Sequence, residues 1–314
     1  MIEFKGVSYT YDQTPRSHRK RKGNADTEPA KWGRSPEDRW ALADLAFTIE
    51  DGEMFGIAGH TGSGKSTLVQ MMNGLLEPTY GSVRVNGHDI ADKSAASEAR
   101  REVGVVFQYP ERQLFAATVF DDVAFGPRNL GLSADEVKIR VEEALKAVHL
   151  DGADIAERSP FALSGGQQRR VAFAGVLAMK PSTLVLDEPV AGLDPKTKRD
   201  FLGLVKELHD TQHLTVALVS HNMDDLANLC DRIIVLNNGH LYALGTPEEI
   251  FSDEEGMRSI GLGVPQAASL ANKLAERGIN LPLGAGLPTL ESLTQAIAQR
   301  YGSMNGGNEN QVSR

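Results

Sequence analysis

Residues 54–72 read Met54-Phe55-Gly56-Ile57-Ala58-Gly59-His60-Thr61-Gly62-Ser63-Gly64-Lys65-Ser66-Thr67-Leu68-Val69-Gln70-Met71-Met72. An apolar run of strand length, Met54 to Ala58, ends in a glycine-rich loop, and a helix-like stretch from Lys65 to Met72 follows. The loop fits G-x-x-x-x-G-K-S/T in the strand–loop–helix setting that gives this pattern meaning. Glycines let backbone N–H groups turn inward around phosphate oxygens, and the helix behind them offers its positive N-terminal end. Gly59, His60, Thr61, Gly62, Ser63, Gly64, Lys65, Ser66 and Thr67 are therefore expected to hold a nucleotide. Lys65 would reach the β- and γ-phosphates, and Ser66 would place its hydroxyl on Mg²⁺.

Outward from the loop, β-like runs alternate with helix-length segments, which predicts an α/β fold. Residues 2–9 and 42–49 alternate as strands. Val103 to Phe107, Thr183 to Leu186 and Leu214 to Val219 are apolar, β-branched runs of the length of buried parallel strands. Residues 134–148 and 196–209 carry helical spacing. Asn237-Asn238-Gly239 sits between Ile233–Leu236 and Leu241–Leu244 and signals a hairpin.

Composition narrows the setting. The 314 residues suffice for one large domain or two ordinary ones with a real core. A single cysteine, Cys230, excludes an intramolecular disulfide framework and fits a reducing compartment. No apolar run has membrane-spanning length, and Met1–Lys5 lacks the start of a signal peptide, so a cytosolic chain is expected. A net charge of −9 argues against broad nucleic-acid binding.

Two segments depart from the alternating order. Residues 13–39 hold eight Lys/Arg against four Asp/Glu and almost no aliphatic residues, and are expected to form a mobile basic insertion. An arm touching anionic lipid or an acidic partner is the competing reading. Near Gly256 a helical appendage begins. Pro265 opens a stretch with Ala267, Leu270, Ala271, Leu274 and Ala275 on one face, closed by Gly278. Pro288 opens another with Leu290, Leu293, Ile297 and Tyr301, closed by Gly302, and 303–314 reads as a disordered tail. Packing within the chain and an inter-subunit surface both fit these stripes.

Leu184-Val185-Leu186-Asp187-Glu188 supplies a second half of the phosphate site. An apolar strand ending in two carboxylates puts Asp187 at a Mg²⁺ and Glu188 at the attacking water, as general base or to position it. On their own, two acids at a strand end would be loop-facing charges; beside a phosphate loop they read as catalytic.

Leu163-Ser164-Gly165-Gly166-Gln167-Gln168-Arg169-Arg170 then resembles the signature motif of ABC-transporter ATPase subunits, and the likeness runs from about residue 2 to 252. It implies a P-loop ABC-type nucleotide-binding domain over 1–252, with a RecA-like α/β core and an antiparallel β subdomain. A helical subdomain would occupy 109–180, and a small C-terminal helical extension 253–302. Ser164, Gly165, Gly166 and Gln167 would contact the γ-phosphate on an opposite subunit, so two half-sites meet in a head-to-tail dimer, homo- or heteromeric. By the same resemblance Tyr11 stacks on adenine and Gln108 contacts Mg²⁺ and water. Asp194 would communicate across the dimer, and His221 would bond the γ-phosphate. ATP and Mg²⁺ are the implied cofactors, and Lys65, Gln108, Glu188 and His221 the catalytic set.

The stretch Phe107-Gln108-Tyr109-Pro110-Glu111-Arg112-Gln113-Leu114-Phe115, with Ala124-Phe125-Gly126-Pro127-Arg128-Asn129-Leu130-Gly131, is most similar to ATPases of energy-coupling factor importers. These take up vitamins or transition-metal ions. The implied partners are a second ATPase, a transmembrane coupling protein docked at 108–115 and, indirectly, a membrane substrate-binding component, on the cytoplasmic membrane face. Glu111 is a candidate for pairing with a basic residue of the coupling protein, or else a solvated acid. Val190 stands where threonine is common, with little effect expected, and Cys230 reads as a buried thiol. A conventional ABC transporter subunit, a soluble ABC protein of translation or repair, and a simple P-loop kinase remain as alternatives.

Overall fold

The computed structural model describes residues 1–12, 40–152, 154–283 and 286–305, so the expected insertion at 13–39 and the tail beyond 305 lie outside the described residues. The chain starts with β1 (Ile2–Tyr9) and β2 (Leu42–Ile49), then β3 (Met54–Gly59), the glycine-rich loop and α1 (Lys65–Met72). β4 (Tyr80–Val85), β5 (His88–Asp89), α2 (Lys93–Glu102) and β6 (Val103–Val106) come next. A 3₁₀ turn at Pro110–Gln113 leads into α3 (Val119–Asn129), α4 (Ala134–Ala147) and α5 (Gly165–Leu177). β7 (Thr183–Asp187), α6 (Pro195–Gln212), β8 (Thr215–Val219), α7 (Met223–Leu229), β9 (Arg232–Asn237) and β10 (His240–Gly245) complete the sheet region. Four helices close the chain: α8 (Pro247–Ser252), α9 (Glu254–Ser259), α10 (Gln266–Glu276) and α11 (Leu290–Asn305).

Two sheets form. One is antiparallel, ordered β2-β1-β4-β5; the other is ordered β10-β9-β3-β8-β7-β6 and parallel except for β10. The parallel strands read as continuous apolar runs because both faces are buried, one residue to each side in turn. Met54, Leu184, Leu186, Val216, Leu218, Ile233 and Val235 face a core shared with α3 to α6. Phe55, Ile57, Val185, Ala217, Val219, Ile234 and Leu236 face the antiparallel sheet and α1. Between the sheets Phe4, Phe47 and Phe55 stack with centroids 4.6 and 5.7 Å apart. Full burial of each such ring contributes roughly 1.5–3 kcal/mol.

The β9–β10 turn is the expected hairpin. Asn238 and Gly239 take φ of 49° and 80°, the pair of left-handed residues that a two-residue turn with native twist requires. Met257 and Leu262 pack into the large core, whereas Ala267, Ala271 and Leu293 form a small separate one with Leu281, Leu283 and Ile297.

The C-terminal helices differ from expectation in two ways. On α10 the buried residues are Ala267, Ala268 and Ala271, while Leu270 is 46% exposed and Ala275 faces solvent. Ser269 Oγ and Asn272 Nδ2 of α10 both donate to the Glu254 carboxylate of α9, and with Ala267 and Ala271 packed beside Leu293 these bonds leave Leu270 outside. α11 continues through Gly302 to Asn305, since a glycine in a helix costs only about 1 kcal/mol and does not by itself end it. Among the described residues no helix is long and apolar enough to cross a membrane.

Candidate functional site

Strand register builds the site. Ile57 lies opposite Val219, Val219 opposite Asp187, and Leu186 opposite Val106. The chain segments that leave these strands therefore emerge along one edge of the parallel sheet, the carboxyl edge, where ligands bind in such sheets. They carry Gly59–Ser66, Glu188, His221 and Gln108.

The loop needs its glycines at specific points. Gly59 has φ of 155°, and a Cβ there would sit 2.4 Å from Ser63 Oγ and 2.7 Å from the Leu236 carbonyl. Gly64, at φ 106°, would meet the Ala41 carbonyl at 2.5 Å. Gly64 also stands at the N-cap of α1 without a side-chain cap, and the first turn carries no acid. The helix thus keeps free N–H groups and its positive end toward the loop.

Lys65 is buried, and its Nζ donates to the Gly59 carbonyl at 2.7 Å and the His60 carbonyl at 2.9 Å. Burial pushes this ammonium below its ordinary pKa against the pull of Glu188 and Asp187. Burial, then the Glu188 charge, pushes the Asp187 carboxyl up, while Lys65 and His221 pull it down. Two crowded carboxylates and a single buried lysine leave room for further positive charge. Ser66 and Thr61 are exposed and Thr67 is buried. Ser63 Oγ is fully buried and has no partner among the described residues.

Glu188 is held on both sides. Its Oε1 lies 2.6 Å from His221 Nε2, and its Oε2 accepts from Gln108 Nε2 at 3.2 Å. Its backbone takes φ of 49°, a region non-glycine residues rarely occupy, and its N–H donates to the Val219 carbonyl at 3.1 Å. Strain of this kind collects where side-chain aim matters more than backbone comfort. Tyr11 arrives from the end of β1. Its hydroxyl is 3.1 Å from Thr67 Oγ1, its ring meets Tyr9 edge-on, and 62% of it stays exposed.

The signature residues lie elsewhere. Ser164 caps α5 and exchanges bonds with Gln167 in a capping box. Asp194 caps α6, accepting from Lys196 N–H, Thr197 N–H and the Thr197 hydroxyl, and that hydroxyl leads in holding its carboxyl below the ordinary range. Gly165, Gly166 and Asp194 line a cavity of about 320 Å³ to which no residue of the glycine-rich loop contributes. The structure brings Lys65, Asp187, Glu188, Gln108, His221 and Tyr11 together and leaves Ser164–Gln167 and Asp194 at a second place.

One reading is corrected. Glu111 is not simply a solvated acid, because Arg169 of α5 takes both its oxygens at 2.9 Å while the side chain keeps 21% exposure. Sequence reasoning also missed the support under the loop. His60 Nδ1 lies 2.8 Å from the Thr61 carbonyl oxygen, and Nε2 lies 3.1 Å from the Asn237 side-chain oxygen. Gly239 N–H donates to the Ser63 carbonyl at 3.0 Å. The Asn-Asn-Gly signal marks that turn, but not what it touches.

The sequence pattern of the ABC transporter family matches residues 42–191. An energy-coupling factor transporter ATP-binding protein, EcfA2, of Caldanaerobacter subterraneus subsp. tengcongensis is 55% identical over 243 residues, 77% of this chain and 85% of that one. The protein of that name from Symbiobacterium thermophilum is 54% identical over 267 residues, 85% of this chain and 90% of that one. Among solved structures, CbiO1 from Clostridium perfringens, part of the ABC transporter complex CbiONQ, superposes with a TM-score of 0.67 at 32% identity, covering 83% of this chain and 94% of that one. The ATP-binding cassette MJ0796, a dimer bound to ADP and phosphate, gives 0.62 at 30% identity over 78% and 98%.

Proposed function

The chain belongs to the ABC transporter family, and from that premise we propose that it is the ATP-hydrolysing subunit of an energy-coupling factor importer. The observation that carries the reading is the Glu188 carboxylate, clamped between His221 and Gln108 at the sheet edge that also bears the Lys65 loop. The triphosphate of ATP lies on the N–H groups at the start of α1, with Lys65 against its oxygens. Glu188 takes the proton of the attacking water, and His221 and Gln108 hold that water and carboxylate in line with the γ-phosphorus. The new P–O bond forms as the bond to the ADP oxygen breaks. Tyr11 offers its exposed ring to adenine.

Mg²⁺ fits the donors present. The half-buried Asp187, crowded by Glu188, is a carboxylate that asks for a cation, and Ser66 and Gln108 add neutral oxygens. When bound, the ion neutralises charge on the phosphates. Hydrolysis needs the second half-site from an ATPase partner, whose signature corresponds to Ser164, Gly165, Gly166 and Gln167 here, with Asp194 at the seam. The cassette is taken as 1–252, with 109–180 its helical part, and the extension as 253 to the end of α11 at Asn305, its Met257 and Leu262 packed into the cassette core.

The transmembrane coupling protein docks at 108–115. Phe115, 62% exposed, meets Phe125, 51% exposed, edge-on at 5.0 Å, an aromatic step suited to the apolar face of a partner helix. Membrane attachment is therefore peripheral, on the cytoplasmic face, and the substrate-binding component is reached indirectly. No nucleic acid takes part. Purification of the tagged chain from membranes tests this. Recovery with a transmembrane coupling protein and a dedicated substrate-binding membrane protein, plus ATP turnover, supports it; recovery in a soluble complex alone overturns it.

A further inference from the structure

Arg169 is a charged side chain with only 3% exposure. Burying a guanidinium is costly unless its donors are matched. Here four bonds match them: Nε to Glu111 Oε2 at 2.9 Å, Nη2 to Glu111 Oε1 at 2.9 Å, and Nη1 to the carbonyls of Pro189 at 2.9 Å and Ala191 at 3.1 Å. The first two form a fork that fixes orientation as well as distance.

The acceptors lie on two separate segments. Glu111 belongs to the turn Pro110–Gln113, next to Gln108 and leading to Phe115. Pro189 and Ala191 follow Glu188 directly, and the Ala191 N–H donates back to the Glu188 carbonyl at 3.1 Å. Arg169 itself sits on α5, one turn past the signature glycines. The turn is under restraint too, because Tyr109 enters it at φ 57° with the Arg112 guanidinium 4.6 Å above its ring. For stability alone, an apolar filling of similar volume would serve as well as a buried ion pair. What an ion pair with these particular acceptors adds is a rigid tie between the partner-facing segment and the backbone beside Glu188.

We infer that Arg169 and Glu111 are positioning residues that tie the aim of the Glu188 carboxylate to the position of the 110–113 turn. Displacement of that turn carries Glu111, the Arg169 fork and the Pro189–Ala191 carbonyls together, and Glu188 moves with them. The inference rests on the proposed role of Glu188.

The test is steady-state ATP turnover by the full chain in complex with its ATPase partner and membrane components, with melting temperature measured alongside. Glu111→Gln keeps the shape of the turn but weakens the fork. It is expected to lower kcat roughly ten- to a hundredfold with the KM for ATP within about twofold, as misaimed groups do. Arg169→Lys, which cannot fork across Glu111 and both carbonyls, is expected to fall similarly. The double variant should fall no further than the worse single one, because both sever the same tie. A rise in KM with kcat unchanged overturns the inference, and so does a multiplicative loss in the double variant. Should Arg169→Lys melt below the assay temperature, Glu111→Gln decides by itself, since its site is partly open to solvent. Glu188→Gln serves as the reference. If it abolishes turnover while Glu111→Gln leaves kcat unchanged, this inference alone fails; if it turns over like wild type, the role of Glu188 and this inference fall together.

Discussion

His221 Nε2 stands 2.6 Å from Glu188 Oε1, while Gln108 Nε2 holds the other oxygen of the same carboxylate at 3.2 Å. Three strand ends thus aim one carboxylate, with a left-handed backbone beneath it. A group so constrained serves chemistry that depends on the charged oxygen itself. Glu188→Gln preserves size and both contacts in outline but cannot accept a proton. Nucleotide affinity should stay within a few-fold while turnover drops by about 10²-fold or more, the usual scale for losing a general base. A fluorescent ATP analogue and a phosphate-release assay separate the two, and turnover at the wild-type rate would refute the assignment.

Lys65 is the positive centre of the loop. Its two carbonyl partners, Gly59 and His60, hold Nζ inside the cradle rather than in solvent. A hydrogen bond to a charged group contributes about 1.5–3 kcal/mol. Lys65→Ala should therefore weaken ATP binding roughly ten- to a hundredfold, and titration calorimetry reads this directly. Unchanged affinity would remove the loop from the nucleotide site.

How much of this was legible from the residues depends on how local the signal is. β3, the loop and α1 were readable because glycine conformation, strand burial and helix start coincide within nineteen residues, 54–72. The β9–β10 hairpin was readable from its turn chemistry. α2 gave no such signal, since its described buried positions are only the alanines Ala96 and Ala99 among charged neighbours. The pairing of Glu111 with Arg169 spans 58 residues, and a charge in sequence carries no mark of the partner that folding brings to it. The loop's underpinning by Asn237 and Gly239 was hidden for the same reason. On α10 the apolar stripe misled, because Ser269 and Asn272 anchor the helix to Glu254, a polar contact that the stripe does not signal.

The distance between the Lys65 loop and the signature in one chain makes a trans prediction. Ser164→Arg blocks the α5 N-terminus that the partner's ATP would meet, yet leaves this chain's own loop intact. ATP should remain bound, and hydrolysis at the partner's loop should be lost. Hydrolysis on this chain's loop should survive with a partner whose signature is unaltered. Losing the cap itself costs about 0.5–2 kcal/mol, a loss the variant is expected to survive folded, and a melting curve checks that it does. Failure of a partner with an intact signature to sustain any turnover would count against two shared half-sites.

Cys230 should behave as packing. Burial drives its thiol far above the ordinary range, with Asp231, Asp225 and Glu53 adding to that. Its Sγ would lie 3.0 Å from a Cβ placed on Gly56 of β3. A maleimide should leave the native protein unlabelled and label it once, fully, in guanidinium, as followed by intact mass. Rapid labelling of the native chain would show an accessible thiol.

Asn237 gives the finest-grained test of the site. It sits at the end of β9, two residues before Gly239, and meets His60 Nε2 at 3.1 Å while Gly239 N–H holds the Ser63 carbonyl. His60 Nδ1 is already committed to the Thr61 carbonyl, so Asn237 is what fixes the other edge of the ring. Removing it with Asn237→Ala frees His60 to rotate and loosens the loop without touching Glu188, His221 or Gln108. Loss of one side-chain hydrogen bond is worth about 0.5–1.5 kcal/mol. The KM for ATP should therefore rise roughly two- to tenfold with kcat nearly constant. Gly239→Ala should do more, because its φ of 80° and a Cβ 2.9 Å from the Ala41 carbonyl force the turn itself to shift. A fall in kcat at unchanged KM for Asn237→Ala would place this residue in the chemical step instead of under the phosphates.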